Sequence, residues 1–220
     1  MLIPSTHPWL DITRSIHSAM ATWPDNPGVE ISGSQCMHEG DVCNVSKLAA
    51  GTHTGTHVDG LRHFIQNGQG IDGMPVDQLI GPACVVTVES EAQIELKDFD
   101  QACIRKGGRI LFRTRNSIDR LHESAEFCET FVHLSEEVAL WLAQMEVACV
   151  GVDYLSVGGF EGNVVEVHHA LLGNGIYAIE GLVLSDVDDG WHNLVCLPIK
   201  LKDGDAGLAR AILQKIDVEE

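Results

Sequence analysis

Residues 52–64, THTGTHVDGLRHF, hold three of the eleven histidines and one aspartate within thirteen positions. Imidazole and carboxylate are the donors that divalent metal ions take from nitrogen and oxygen, and histidine also carries protons near neutral pH. On a helix His53 and His57 would share a face, but Thr54, Gly55 and Thr56 between them are poor helix formers. In a straight strand they would also share a face, yet at roughly 3.3 Å per residue their Cα atoms would lie about 13 Å apart, too far for one ion. The chain therefore has to bend, and Gly55 is the residue that lets it. His57 and Asp59 sit two apart, about 6.6 Å at Cα on extended backbone, and point the same way. His53, His57 and Asp59 are thus candidate metal ligands, and two imidazoles with one carboxylate leave positions open for water, as catalytic sites do. The competing reading is a threonine-rich turn that happens to carry histidines, and the concentration of His and Asp speaks against it. His63 lies too far along the chain to be assumed a ligand and is the candidate for moving a proton.

This segment resembles the signature of the metal-dependent cyclase family, H-x-G-T-H-x-D-x-P-x-H-F, a family that takes in bacterial kynurenine formamidases, isatin hydrolases and lactone hydrolases. His53, Gly55, Thr56, His57, Asp59, His63 and Phe64 match, and Leu61 stands where the pattern has proline. Residues 168–180, HHALLGNGIYAIE, fit a second family frame, H-x-x-L-L-x-x-G-I-x-x-x-E, through His168, Leu171, Leu172, Gly175, Ile176 and Glu180. Neighbouring side chains on a helix point about 100° apart, so only one of His168 and His169 can easily face a given ion, and the resemblance implies that it is His168, with His169 the spare. Glu180, set between Ile179 and Gly181 in an apolar strand, needs a partner, and a cation is one. The resemblance implies that His168 and Glu180 hold a second ion with Asp59 shared, giving one or two Zn or Mn ions per chain. It also implies an α/β fold, a single-domain swivelling β/β/α-type arrangement with a mixed sheet and few helices, and assembly as a homodimer or homotetramer.

The activity so implied is hydrolysis of an aryl-formamide or cyclic amide by metal-activated water, with His63 protonating the leaving nitrogen. Lactone or isatin-type ring opening is the alternative within enzymes, and a metal-binding protein without turnover the alternative outside them. No G-x-S-x-G elbow occurs, which disfavours a serine hydrolase. A Trp-Pro segment near the family's N-terminus borders the substrate, so Trp23 is a candidate aromatic wall as well as an ordinary packing residue. Asp25 and Asn26 depart from the Gly-Asp of kynurenine formamidases. Asp153 and Ser156 also match recurrent family positions, where structural hydrogen bonding is as good an explanation as catalysis.

The elements that position these residues follow from periodicity. Residues 29–34, 44–49, 81–90, 109–114 and 147–152 read as strands, the second running straight into the histidine-rich segment. Residues 10–17 alternate as a half-buried strand does, and 21–28, with two prolines, form an irregular loop. Ser135 caps a helix over 136–145, while 95–106 has mixed helical character. Residues 168–180 read as a short helix and a strand carrying Glu180. Residues 194–201 and 207–216 read as strands joined by a turn at 202–206, KDGDA. The G-x-G-x-x-G match at 68–73 has no strand before it and is a loop, not a dinucleotide site.

The 220 residues suit one domain, 1–220, with an ample core. With 14 basic and 32 acidic residues the net charge is −18, which repels nucleic acid and anionic membranes and favours a neutral or zwitterionic small molecule as substrate. No signal-like N-terminus or long apolar run is present, so a cytoplasmic protein is expected. The seven scattered cysteines form no C-x-x-C pair and read as reduced thiols.

Overall fold

The computed structural model describes residues 1–217. Its strands in chain order are β1 (Trp9–Asp11), β2 (Glu30–Gln35), β3 (Val45–Ala49), β4 (His57–Asp59), β5 (Ile80–Thr87), β6 (Gln93–Ile94), β7 (Arg109–Arg113), β8 (His133–Leu134), β9 (Cys149–Val152), β10 (Tyr177–Glu180), β11 (Gly190–Pro198) and β12 (Ala206–Lys215). The α-helices are α1 (Arg115–Ile118), α2 (Glu136–Gln144) and α3 (Val164–Leu172). β5, β7, β9 and β10 pair in parallel, and their apolar residues are buried on both faces, as parallel strands require. Antiparallel pairing of β10 with β4, β4 with β12, β12 with β11 and β11 with β5 then closes this mixed sheet into a barrel. Closure removes the exposed edges that an open sheet would carry. β1 continues along the far half of β12.

Side-chain alternation along the strands sorts the core. Leu111 on β7 points into the barrel with Val58, Leu79, Ile179, Leu194 and Leu213, while its neighbours Ile110 and Phe112 point out against α2 and α3, meeting Leu142, Val167 and Leu171. α2 starts where the sequence predicts, with the Ser135 hydroxyl accepting from the Val138 N–H at 3.2 Å. A third, smaller cluster joins Phe131, Tyr154 and Leu155 to Trp23, Phe127 and Phe160.

Two sequence-based expectations are corrected. Residues 10–17 make a strand only over Trp9–Asp11, followed by one bridge between Thr13 and Leu182. The strand stops because Arg14 turns inward, where its guanidinium donates to the carbonyls of His122, Ala21 and Ser124 and its backbone N–H to the Thr56 hydroxyl. Residues 95–106 give two single 3₁₀ turns, Leu96–Asp98 and Gln101–Cys103. Glu95 and Asp98 cap each other's backbone N–H groups, and extended Phe99 ends the turn before Asp100 starts the next. All seven cysteines are free, three of them buried. No helix among the described residues is long and apolar enough to cross a membrane.

Candidate metal centre

The bend required between His53 and His57 is present, with Gly55 at φ 62°. Gly181, at φ 69°, lies against it so closely that a Cβ there would collide with the Gly55 carbonyl oxygen. The Thr56 hydroxyl locks the turn by donating to the Gly181 carbonyl at 2.6 Å. β4 then carries His57 and Asp59 on one face, and β10 sets Glu180 directly across from His57. α3 contributes His168, buried, while His169 is exposed. Of the two adjacent histidines, His168 is thus the one that faces Asp59 and Glu180.

Asp59 lies at the middle of this group. Its Oδ1 is 3.0 Å from His53 Nδ1 and 3.6 Å from His57 Nε2, and its Oδ2 is 3.5 Å from His168 Nε2. Glu180 approaches His57 Nε2 at 3.2 Å with one oxygen and His168 Nε2 at 3.4 Å with the other. The same Glu180 oxygen that faces His168 accepts the Val157 N–H at 2.7 Å. None of these contacts to Asp59 is aligned as a hydrogen bond, so both its oxygens, and Nε2 of His57, are fully buried without a hydrogen-bond partner. Buried polar atoms are rarely left so. Ligand atoms of His53, His57 and Asp59, and again of Asp59, His63 and His168, fall within 4.8 Å of one another. Converging nitrogen and oxygen lone pairs of this kind fit a divalent cation. Hydrogen bonds from the far side of two rings support the fit, because Nδ1 of His57 donates to the Gly55 carbonyl at 3.0 Å and Nδ1 of His168 to the Val164 carbonyl at 2.6 Å, which turns each Nε2 lone pair inward.

The electrostatics point the same way. Burial pulls His53 and His168 down, but contact with Asp59 and the charge of Glu180 outweigh it and push them up to about 9 and about 10. Asp59 is held well below the usual carboxylate range despite complete burial, because His168 and His53 face it. The pocket favours positive charge. His63 is the exception, since burial brings its imidazole down to about 4, with the charges of His53 and His168 opposing its protonation.

His63, the candidate proton carrier, lies beside the ligand candidates, because the 3₁₀ turn Leu61–His63 brings its ring centroid to 3.9 Å from His53 and 5.6 Å from His168. Leu61 occupies the first position of that turn, where a proline's fixed φ would also fit, and the turn forms without it. Trp23 both packs edge-on against Phe127, Phe131 and Phe160 and lines the cavity over the centre. This cavity holds about 290 Å³, with Phe64, Leu155 and Val164 among its apolar walls and Asn26 and Ser156 among its polar ones. No lysine or arginine lines it. Asp153 lies elsewhere, accepting from Thr114, Asn116 and Ser117, and acts structurally. The residue that sequence reasoning missed is Asp205, whose carboxylate lies 3.3 Å from Nε2 of His53.

Comparison with known proteins bears on this geometry. A family model described as Cyclase matches residues 10–158. A kynurenine formamidase of Salinibacter ruber is 35% identical over 207 residues, covering 93% of this chain and 96% of its own. One from Bacillus cereus is 31% identical over 211 residues, covering 96% and 99%. A solved structure described as a predicted metal-dependent hydrolase from Bacillus stearothermophilus superposes with a TM-score of 0.81 at 27% identity, covering 95% of this chain and 98% of its own. An isatin hydrolase bound to thioisatinate superposes at 0.82 over 95% of this chain and 92% of its own, and at 18% identity it shows a shared fold.

Proposed function

This chain belongs to the cyclase family and is a metal-dependent hydrolase, and on that premise we propose that it cleaves an aryl-formamide, as its kynurenine formamidase relatives do by name. The observation that carries the reading is Asp59, whose two buried oxygens lack hydrogen bonds and face three imidazoles beneath an aromatic-walled cavity. His53, His57 and Asp59 would hold one ion, and His168, Glu180 and the shared Asp59 a second, so we propose one or two Zn or Mn ions per chain. Bound there, a divalent cation supplies Lewis acidity and makes water acidic enough to react near neutral pH.

The rest is done by the chain. His63, lowered to about 4 and so uncharged at neutral pH, faces the same space, takes a proton from the attacking water at a ring nitrogen and delivers it to the leaving nitrogen. An amide nitrogen leaves poorly until protonated, which makes this return the step that needs a positioned side chain. Trp23, Phe64 and Leu155 exclude bulk water and accept a flat ring. A cavity lined by no lysine or arginine supports a neutral or zwitterionic substrate. The same apolar walls support a second reading, ring opening of an isatin-type cyclic amide or a lactone.

At the level of the molecule we propose a single domain spanning 1–220, a cytoplasmic location, and neither nucleic acid nor membrane as partner. We also propose assembly as a homodimer or homotetramer through the ribbon of β2 and β3. Nothing from residue 30 to 48 is buried, although Ile31 and Leu48 form a cross-strand apolar pair, and an isolated two-stranded ribbon is marginal in water. A second copy offers an exposed strip of Leu197, Ile199 and Leu201 with Lys200 and Lys202, complementary to Glu39 and Asp41 at the ribbon's end. The activity is tested by quantifying bound metal and assaying the same sample on N-formylkynurenine, isatin and a dienelactone. Hydrolysis of the formamide supports the first reading, turnover of isatin or the lactone alone the second, and turnover of none contradicts both.

A further inference from the structure

Asp205 immediately precedes β12, on the side of the barrel where Ala206 pairs with Asp59. Its backbone carbonyl accepts the Gly60 N–H at 2.7 Å, which fixes it beside the strand that carries the candidate ligands. Its carboxylate is used at both oxygens. Oδ1 accepts from the Thr52 hydroxyl at 3.1 Å, and Oδ2 lies 3.3 Å from Nε2 of His53. The other nitrogen of the same ring, Nδ1, is the one 3.0 Å from Asp59.

His53 thus differs from the two other histidines of the centre in how its ring is held. His57 and His168 each donate Nδ1–H to a backbone carbonyl a few residues earlier in the chain and turn Nε2 inward. His53 sits in a turn with no carbonyl aimed at its ring, and it presents Nδ1 inward instead. Only an acceptor on the Nε2 side keeps the proton on Nε2 and leaves Nδ1 with a free lone pair. We propose that Asp205 is that acceptor, a positioning residue that sets the tautomer and orientation of His53 toward the metal, with Thr52 fixing the carboxylate in turn. The inference rests on the metal-centre reading above. A partner of this kind raises the basicity of the ligand and typically contributes 10- to 100-fold in metal affinity.

About half of the Asp205 side chain is exposed, and its barrel contacts are made by the backbone, so replacing it spares the fold. The experiment compares wild type, Asp205→Ala and Asp205→Asn for metal stoichiometry, for affinity by chelator competition with Zn²⁺, and for the ¹⁵N imidazole shifts of His53. Asp205→Ala is expected to weaken Zn²⁺ binding roughly 10- to 100-fold with stoichiometry unchanged at saturation, and to shift metal-free His53, read at about pH 10 to 11 where its ring is neutral, away from the Nε2–H tautomer. Asp205→Asn, whose amide oxygen still accepts from Nε2–H, should recover part of both. Equal affinity and tautomer in wild type and Asp205→Ala would overturn the inference while leaving the centre intact. A loss of one ion per chain at saturation would overturn it too, making Asp205 a ligand in its own right. A wild type that binds no Zn²⁺ would remove the centre itself, a result distinct from either.

Discussion

Asp59 faces three imidazoles with both oxygens buried and without hydrogen bonds, and it is where substitution should be most costly. Asp59→Asn keeps the volume but removes the charge that three imidazoles face, and His57→Ala removes an imidazole whose Nε2 has no other partner. Both variants should lose bound metal and activity together, as read by plasma mass spectrometry and turnover. His63→Ala should separate the two, keeping its metal while kcat falls roughly 10²- to 10⁴-fold, the scale of one general acid–base group. Loss of metal in that variant would instead make His63 a ligand, an outcome its nearness to His53 and His168 leaves open to measurement. The raised pKa values of His53 and His168 give a pH prediction with a definite sign. In metal-free protein both groups bind protons more tightly folded than unfolded, so their contribution to stability is complete below about pH 6.5 and lost as pH rises through about 9 and 10. Thermal melts of chelator-treated protein should therefore fall across that window, and the metal-loaded protein, whose cation replaces those protons, should not follow.

The elements that hold these residues were legible where local chemistry decides them. The Ser135 cap, the strand at 109–114 and the helix-then-strand pattern at 168–180 appear in the structure because capping and periodicity act over a few residues. The bend at Gly55 was legible because His53 and His57, four residues and about 13 Å apart on a straight strand, could not reach one ion. Asp205 was not, since an aspartate in KDGDA reads as a turn residue and its partner His53 is 152 positions away in sequence. Residues 95–106 misled because reciprocal capping by Glu95 and Asp98 closes a single turn where composition alone suggests more. The opposed glycines give the prediction at this scale. Gly181→Ala would place a Cβ against the Gly55 carbonyl in a backbone conformation that alanine resists, and the turn before His57 would have to move. The variant should bind metal more weakly than wild type even at temperatures where circular dichroism shows it folded. Unchanged affinity would mean that the glycine pair does not position the ligands.

Across the whole molecule, barrel closure joins distant parts of the chain into one site, with β4 paired to both β10 and β12 so that residues near 57, 180 and 205 meet. The mixed sheet with few helices that the resemblance implied is present, but the closing pair β4–β12 has no signature in either strand alone. The ribbon of β2 and β3 lies outside this closure, and its end is only four residues from His53. Replacing Ile31 and Leu48 together by aspartate should reduce the mass measured by light scattering to that of one chain, 23.9 kDa; a wild type already at that mass would refute the assembly. In the intact protein the two ligand segments should act as one metal centre in hydrolysing an aryl-formamide. The most direct measurement is turnover of N-formylkynurenine by one preparation as isolated, after chelation, and after readdition of Zn²⁺ or Mn²⁺, with metal content determined at each stage. Activity should follow bound metal, lost with it and restored with it. Full activity in protein shown to be free of metal would contradict it.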